Sequence, residues 1–281
     1  QDIMWNHDFK LHHIDVFLAH ESFKLSYSYN QYSKTNMMLE GNTQGANFAE
    51  TTGATGSEDN YTTESYLGRA RYNYSSKYYV DFSFRRDASS RFKDPWGNFW
   101  SIGGSWIVSD EKFMKPLRWI NNLKLRASYG EVGNDQSAAY YAYQALYLAD
   151  TNAHQGAYIK SQLANPLMKW EKSSSVDVAL EGRLFDRFNF SIDYFDKRSK
   201  DLLFDVYNPL SAGPTDLWGT STVDPTGRSV ITKNIGTVSN RGVDIALDAD
   251  IIRTNDWKWN LGIKLTYFKN QIVKLPDHKY F

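Results

Sequence analysis

Tyr78, Val80, Phe82 and Phe84 alternate with Tyr79, Asp81, Ser83 and Arg85. A period of two sustained over about eight residues predicts a β-strand with one greasy and one polar face. Residues 66–74 alternate in the same way, with Tyr66, Tyr72 and Tyr74 set against Arg69, Arg71 and Asn73. Only Ser75 and Ser76 separate the two runs, so a tight hairpin is predicted and the strands are antiparallel neighbours.

The same rule runs through the rest of the chain. A first strand begins near Lys10, with Ile14, Val16 and Leu18 on one face; beyond Glu21 the apolar set moves to Phe23, Leu25, Tyr27 and Tyr29. That change of phase predicts a bulge, or a strand that leaves one environment for another. Residues 41–60, rich in Gly, Thr, Asn and Ser, read as a long polar loop, and 87–97 as a second loop. Trp100, Ile102, Trp106 and Val108 then share a face opposite Ser101, Gly103 and Ser105. Ser109, Asp110 and Glu111 are suited to cap one short helix through Met114, stopped by Pro116, before a strand over 123–129. Residues 133–166 read as irregular. Val176, Val178, Leu180 and Leu184 oppose Asp177, Glu181 and Arg183, and a turn at Asp186 and Arg187 leads to Phe188, Phe190, Ile192 and Tyr194. Residues 202–235 are built from turn residues. Two more strands carry Val243, Ile245, Leu247 and Ile251, then Trp257, Trp259, Leu261, Ile263, Leu265 and Tyr267.

This makes about nine strands whose connections alternate between long and short. The long ones are 41–60, 87–97, 133–166 and 202–235; the short ones fall at 75–76, 109–121, 186–187 and 253–256. In an up-and-down sheet that parity gathers the long loops at one end. The pattern predicts an all-β, antiparallel up-and-down transmembrane β-barrel, of which the chain, residues 1–281, forms part of one domain. A soluble surface β-protein that binds glycans is the alternative, because a sandwich alternates too. Aromatic residues near strand ends favour the membrane: Tyr72, Tyr74, Tyr78, Tyr79, Tyr129, Tyr194, Trp257 and Trp259.

Composition narrows the function. The 32 basic and 32 acidic residues give zero net charge, so no electrostatic case exists for nucleic acid. Cysteine is absent, which removes disulfides, thiolate metal sites and thiol nucleophiles. No apolar run approaches the roughly 18 residues of a spanning helix, so strands must do any crossing. His12 and His13 point to opposite faces of a strand and do not chelate as a unit. Asp244, Asp248 and Asp250 share a face but are spread too far along it for one cation, so no metal site is expected. No spacing marks a catalytic constellation, and neither enzyme activity nor a cofactor is expected. In the loops Trp96, Tyr140, Tyr141, Tyr143 and Trp218 are candidate substrate contacts, as rings that stack on a sugar or peptide.

Several stretches together resemble SusC/RagA-type TonB-dependent outer-membrane transporters of Bacteroidetes. They are residues 71–74, 77–79 and 84–92; 106–113 and 123–130 with Gly133 and Asn134; 167–171; 193–195 with 201–203; 240–244; and 270–273. The resemblance implies a 22-stranded barrel of which this chain is a middle-to-late part, with plug, TonB-interacting box and final strands outside it. It implies import of oligosaccharides or oligopeptides across the cell outer membrane, long loops extracellular. Its implied partners are a SusD-like lipoprotein lid, the TonB–ExbB–ExbD complex and outer-membrane lipid.

Overall fold

The computed structural model describes residues 1–152, 155–209, 211 and 230–274. Ten strands make one antiparallel sheet: β1 (Asp2–Phe9), β2 (His12–Met37), β3 (Phe48–Tyr74), β4 (Tyr78–Ser89), β5 (Trp96–Ile107), β6 (Ile120–Asn134), β9 (Glu171–Leu184), β10 (Phe188–Tyr207), β11 (Val230–Arg253) and β12 (Lys258–Lys274). Each pairs with its neighbours in chain order, and among the described residues a separate hairpin of β7 (Leu146–Asn152) and β8 (Gln155–Gln162) is inserted between β6 and β9. This is the up-and-down order the alternation predicts, with ten strands in the sheet rather than about nine.

Register fixes the faces. Phe82 lies between Ala70 and Ile102, and Phe84 between Gly68 and Trp100, while Ser83 lies between Arg69 and Ser101. Phe82, Ile102, Val178, Ile192 and Leu265 therefore share one apolar face, and each is exposed. In a soluble protein such a face would be covered; here it is the surface that meets lipid. At the short-turn end Tyr74, Tyr78 and Trp106 stack in sequence, and Tyr78 and Trp106 both donate to Glu111 (2.6 and 3.4 Å). Rings with one wet end suit the edge of the hydrocarbon layer. Tyr79 belongs to the other face: it pairs with Asn73 and donates to the Ser76 carbonyl.

The structure departs from the sequence reading at several places. β1 was not predicted, because His7 reads as polar; in the fold it stacks between Trp5 and Phe9 and completes the alternation. No bulge forms near Glu21. β2 and β3 pair without a shift from His12 to Ser33, so the strand passes out of the apolar layer, and Phe23 packs on Tyr61 on the polar face. The loop read at 41–60 is only its first part: β3 starts at Phe48, and β2 and β3, with 26 and 27 residues, span about 85 Å, far more than a bilayer needs. Beyond the membrane both faces meet water, so the strands lose the period of two that would mark them. The loop at 87–97 shrinks to 90–95, and the connection 108–119 at the other end outruns it, so parity of ends holds while parity of lengths does not. The single helix becomes two 3₁₀ turns, Val108–Asp110 and Lys112–Met114, neither with a side-chain cap. The β9–β10 turn sits one residue early, on Phe185 and Asp186 at positive φ, and the Phe185 ring stacks on Trp119 (5.4 Å) to offset that strain. Strand also replaces both ends of the loop read at 202–235, and β7 and β8 occupy part of 133–166.

Phe82→Arg in the full-length protein places a guanidinium in hydrocarbon and should lower stability by about 2 to 4 kcal/mol. Ser83→Arg, on the polar face, should lower it by much less. Equilibrium unfolding from vesicles measures both, and equal losses would contradict the face assignment.

Candidate functional site

The polar face carries a dense charge network. Arg126 donates to Glu181 (2.8 Å) and to Asp193, and Lys124 lies 3.8 Å from Glu181. Arg85 joins Asp87 (2.6 Å), Ser65 and, at 3.8 Å, Glu21. Buried polar atoms of Asp15, Arg69, Asn73 and Asp193 have no hydrogen-bond partner among the described residues. His13 stands on this face, paired with Asp8, while His12 reaches Tyr72 on the apolar one.

At the long-loop end the wall is closed over by segments 90–95, 135–144 and 163–170. Their apolar core is Phe92, Phe99, Ala138, Ala142, Met168 and Trp170, with Tyr143 and Leu203 packed against it. Gly133 is what allows Phe99 to lie there, since an added Cβ would stand 2.0 Å from its ring. Beside this core two buried carboxylates gather the loops. Asp135, 8% exposed, accepts from the hydroxyls of Tyr61 and Ser89, both at 2.7 Å. Glu171, 6% exposed, accepts from Asn134, Ser137 and the Leu203 amide. Arg91 lies over the rings of both Tyr61 (4.8 Å) and Tyr140 (4.7 Å) and donates to the carbonyls of residues 135, 136 and 138. A guanidinium with that many carbonyl partners fixes the path of the segment that supplies them.

Under these segments lies a cavity of about 480 Å³, lined by Tyr61, Ser65, Arg85, Asp87, Phe99 and Trp170 among others. Of the five rings singled out in the sequence, Tyr140, Tyr141 and Tyr143 stand in the segment 135–144 over this cavity, and none of them lines it. Tyr140 meets Tyr61 (5.9 Å), the Tyr141 hydroxyl accepts from the Asn60 amide (2.8 Å), and Tyr143 packs on the apolar core. Trp96 stands elsewhere: paired with Ala88, it shares the apolar face of β5 and lies against Tyr66 and Arg86. Trp218 lies outside the described residues. Sequence reasoning passed over Arg91, Asp135, Trp170 and Glu171 as site residues. Arg91, Trp170 and Glu171 do fall within the stretches 84–92 and 167–171 that carry the family resemblance.

Burial, then the hydrogen bond to Asp135 and its charge, push the Tyr61 phenol up to about 12 from 10.0. The neutral phenol is the form the fold favours, so this contact keeps its full strength below pH 10 and is lost as pH rises through about 12. In a pH titration followed by tyrosinate absorbance, the wild type minus Tyr61→Phe difference should appear only near pH 12. A difference already complete at pH 10 would contradict the burial of this pair. Asp135→Ala strands two hydroxyls, a loss of about 1 to 3 kcal/mol, and hydrogen exchange of amides 136–144 should rise roughly 10- to 100-fold.

A family profile described as "TonB dependent receptor-like, beta-barrel" matches residues 2–280. TonB-dependent receptor P39 of Formosa agariphila is 35% identical over 229 residues, covering 79% of this chain and 20% of that protein. TonB-dependent receptor SusC of Bacteroides thetaiotaomicron is 30% identical over 233 residues, covering 78% of this chain and 22% of SusC. The chain thus spans about a fifth of the length of these relatives. Among solved structures, the RagAB peptide importer in its closed-closed state matches with a TM-score of 0.78 at 25% identity, over 98% of this chain and 29% of that one. The outer membrane transporter YddB of Escherichia coli, 9% identical with a TM-score of 0.64, shares the fold. An apolar face bounded by rings, a charged inner wall and this likeness agree: the chain belongs to the β-barrel of the outer-membrane TonB-dependent receptors, of the SusC/RagA type.

Proposed function

We propose that the chain forms part of the wall of an active importer of large nutrients, oligopeptides in preference to oligosaccharides, working with a SusD-like surface lipoprotein. Energy comes through the TonB–ExbB–ExbD complex, acting on parts of the receptor outside these residues. The observation that carries the reading is the polar wall, charged in both signs and backed by an apolar face for lipid. A wall of this kind serves a hydrated or plugged passage.

The preference for peptides rests on the cavity and on the RagAB likeness. Arg85, Asp87 and Glu131 supply both charge signs, which suits the two termini and the side chains of a peptide. Phe99 and Trp170 are 4% and 8% exposed, so neither offers a free ring face for a sugar. Direct substrate contact is proposed for Tyr140, Tyr141 and Tyr143, at the edge of the segments over the cavity, and for Trp218 on its sequence position alone. Trp96, on the apolar face, is better suited to anchoring β5 at the membrane edge. The tall β2–β3 hairpin stands at the long-loop end, where a surface lipoprotein would meet the barrel.

Uptake of fluorescent oligopeptides by cells carrying the full-length receptor and its lipoprotein should stop when TonB is deleted. Uptake that survives the deletion would overturn active import, and uptake of oligosaccharides alone would overturn the substrate class. An epitope tag at Asn42 should be reached by antibody on intact cells and one at Ser76 should not; labelling at Ser76 alone would invert the barrel.

A further inference from the structure

The stretches 240–244 and 270–273 are brought side by side in the β11–β12 ladder, where Asn240 pairs with Asn270 and Arg241 with Lys269. Asn270 Nδ2 donates to Asn240 Oδ1 (2.6 Å) on the polar face. Gly242 lies on that face too, where an added Cβ would stand 2.8 Å from the Phe195 ring and 2.8 Å from Phe268 Cβ. Between them, Arg241 and Lys269 lie on the apolar face, and both are exposed.

Their place along that face is read from the rungs of the ladder. Phe190, Leu247 and Ile263 form one rung, Ile192, Ile245 and Leu265 the next, and Tyr194, Val243 and Tyr267 the third. None carries a charge, and the third bears two rings suited to the membrane edge. Immediately beyond it come Asp196, Arg241 and Lys269, then Arg198, Ser239 and Gln271. Three cations and one carboxylate thus stand on the first two rungs past the apolar ones. The carboxylate is already engaged: Arg198 binds Asp196 through two nitrogens (2.8 and 3.2 Å), and Ser239 donates to it at 3.4 Å. Arg241 and Lys269 have no ion pair among the described residues. Like charges directly opposite on neighbouring strands repel, and an anion between them reverses the sign of that interaction.

We propose that Arg241 and Lys269, flanked by Arg198, bind the phosphate monoester of a membrane lipid whose acyl chains lie along the apolar rungs below. A monoester carries about 1.5 to 2 negative charges near pH 7, which matches the net charge that three cations and one carboxylate leave on these rungs. Its three oxygens accept from both side chains at once. A zwitterionic headgroup brings its own cation into the same place and gains nothing. The site anchors one edge of the sheet at a fixed depth, on the side of the wall away from any passage, so it stands whether or not the import reading holds.

The test uses the full-length receptor in phosphatidylcholine vesicles, with spin-labelled phosphatidic acid and spin-labelled phosphatidylcholine as probes of motionally restricted lipid. The wild type should restrict phosphatidic acid in preference, and Arg241→Ser with Lys269→Ser should lower that preference about fivefold per cation removed. Arg241→Lys, which keeps the charge, and Lys197→Ser, on the polar face of β10, should retain it. Excess inorganic phosphate should not displace the lipid probe, because it lacks the acyl chains. Absence of any preference in the wild type, or a preference that survives the double substitution, overturns the proposal; displacement by inorganic phosphate overturns its lipid part.

Discussion

Everything in this structure follows from the peptide group's need for hydrogen bonds where water is absent. In hydrocarbon an unpaired N–H or C=O carries a penalty of several kcal/mol, and a sheet meets the demand only by pairing strand to strand without a break. The chain does so: β2 and β3 keep one register from His12 to Ser33, and β3 and β4 keep one from Thr63 to Tyr74. Register in turn dictates faces, because a slip of one residue would exchange Phe82 for Ser83 in the lipid. The short turns hold that register even at a local penalty, as the positive φ angles of Ser75, Ser76, Phe185 and Asp186 show.

Once lipid claims one face, the other is left for chemistry. It holds the Arg126, Glu181 and Asp193 network along the wall and the loop segments over its end. The loops pack a small apolar core around Phe92, Met168 and Trp170, and two carboxylates and one guanidinium beside it fix their paths. Asp135, Glu171 and Arg91 reach across 32 to 74 positions of sequence through Tyr61, Leu203 and Tyr140, so the closing segments are tied to the strands beneath them. The ties and the cavity share Tyr61 and Asp135, which makes the mouth of the wall rigid where the proposed substrate would pass.

How much of this could be read beforehand depended on the environment of each residue. Inside the apolar layer, where alternation is enforced by lipid, Phe82, Trp100, Val178 and Ile245 announce their strands and faces correctly. Outside it the signal fades. Residues 48–60 are strand with water on both sides, and nothing in their Thr, Gly and Glu distinguishes them from a loop. His7 hides β1 because a stacked imidazole counts as polar in any hydropathy pattern. Of the rings read as loop residues, Tyr140, Tyr141 and Tyr143 do stand in the segment 135–144, whereas the register sets Trp96 on the apolar face of β5. The residues that hold the loops, Arg91 and Asp135, are separated by more than 40 positions, and no local pattern links them.

The central claim is that even-numbered residues of β4 touch lipid and odd-numbered ones do not. Photoactivatable groups carried on lipid acyl chains, with the full-length receptor in native-like bilayers, should label positions 80, 82 and 84 and spare 81, 83 and 85. Labelling of the odd set, or of both sets equally, would contradict the assignment on which the wall, its face and its charge network are built.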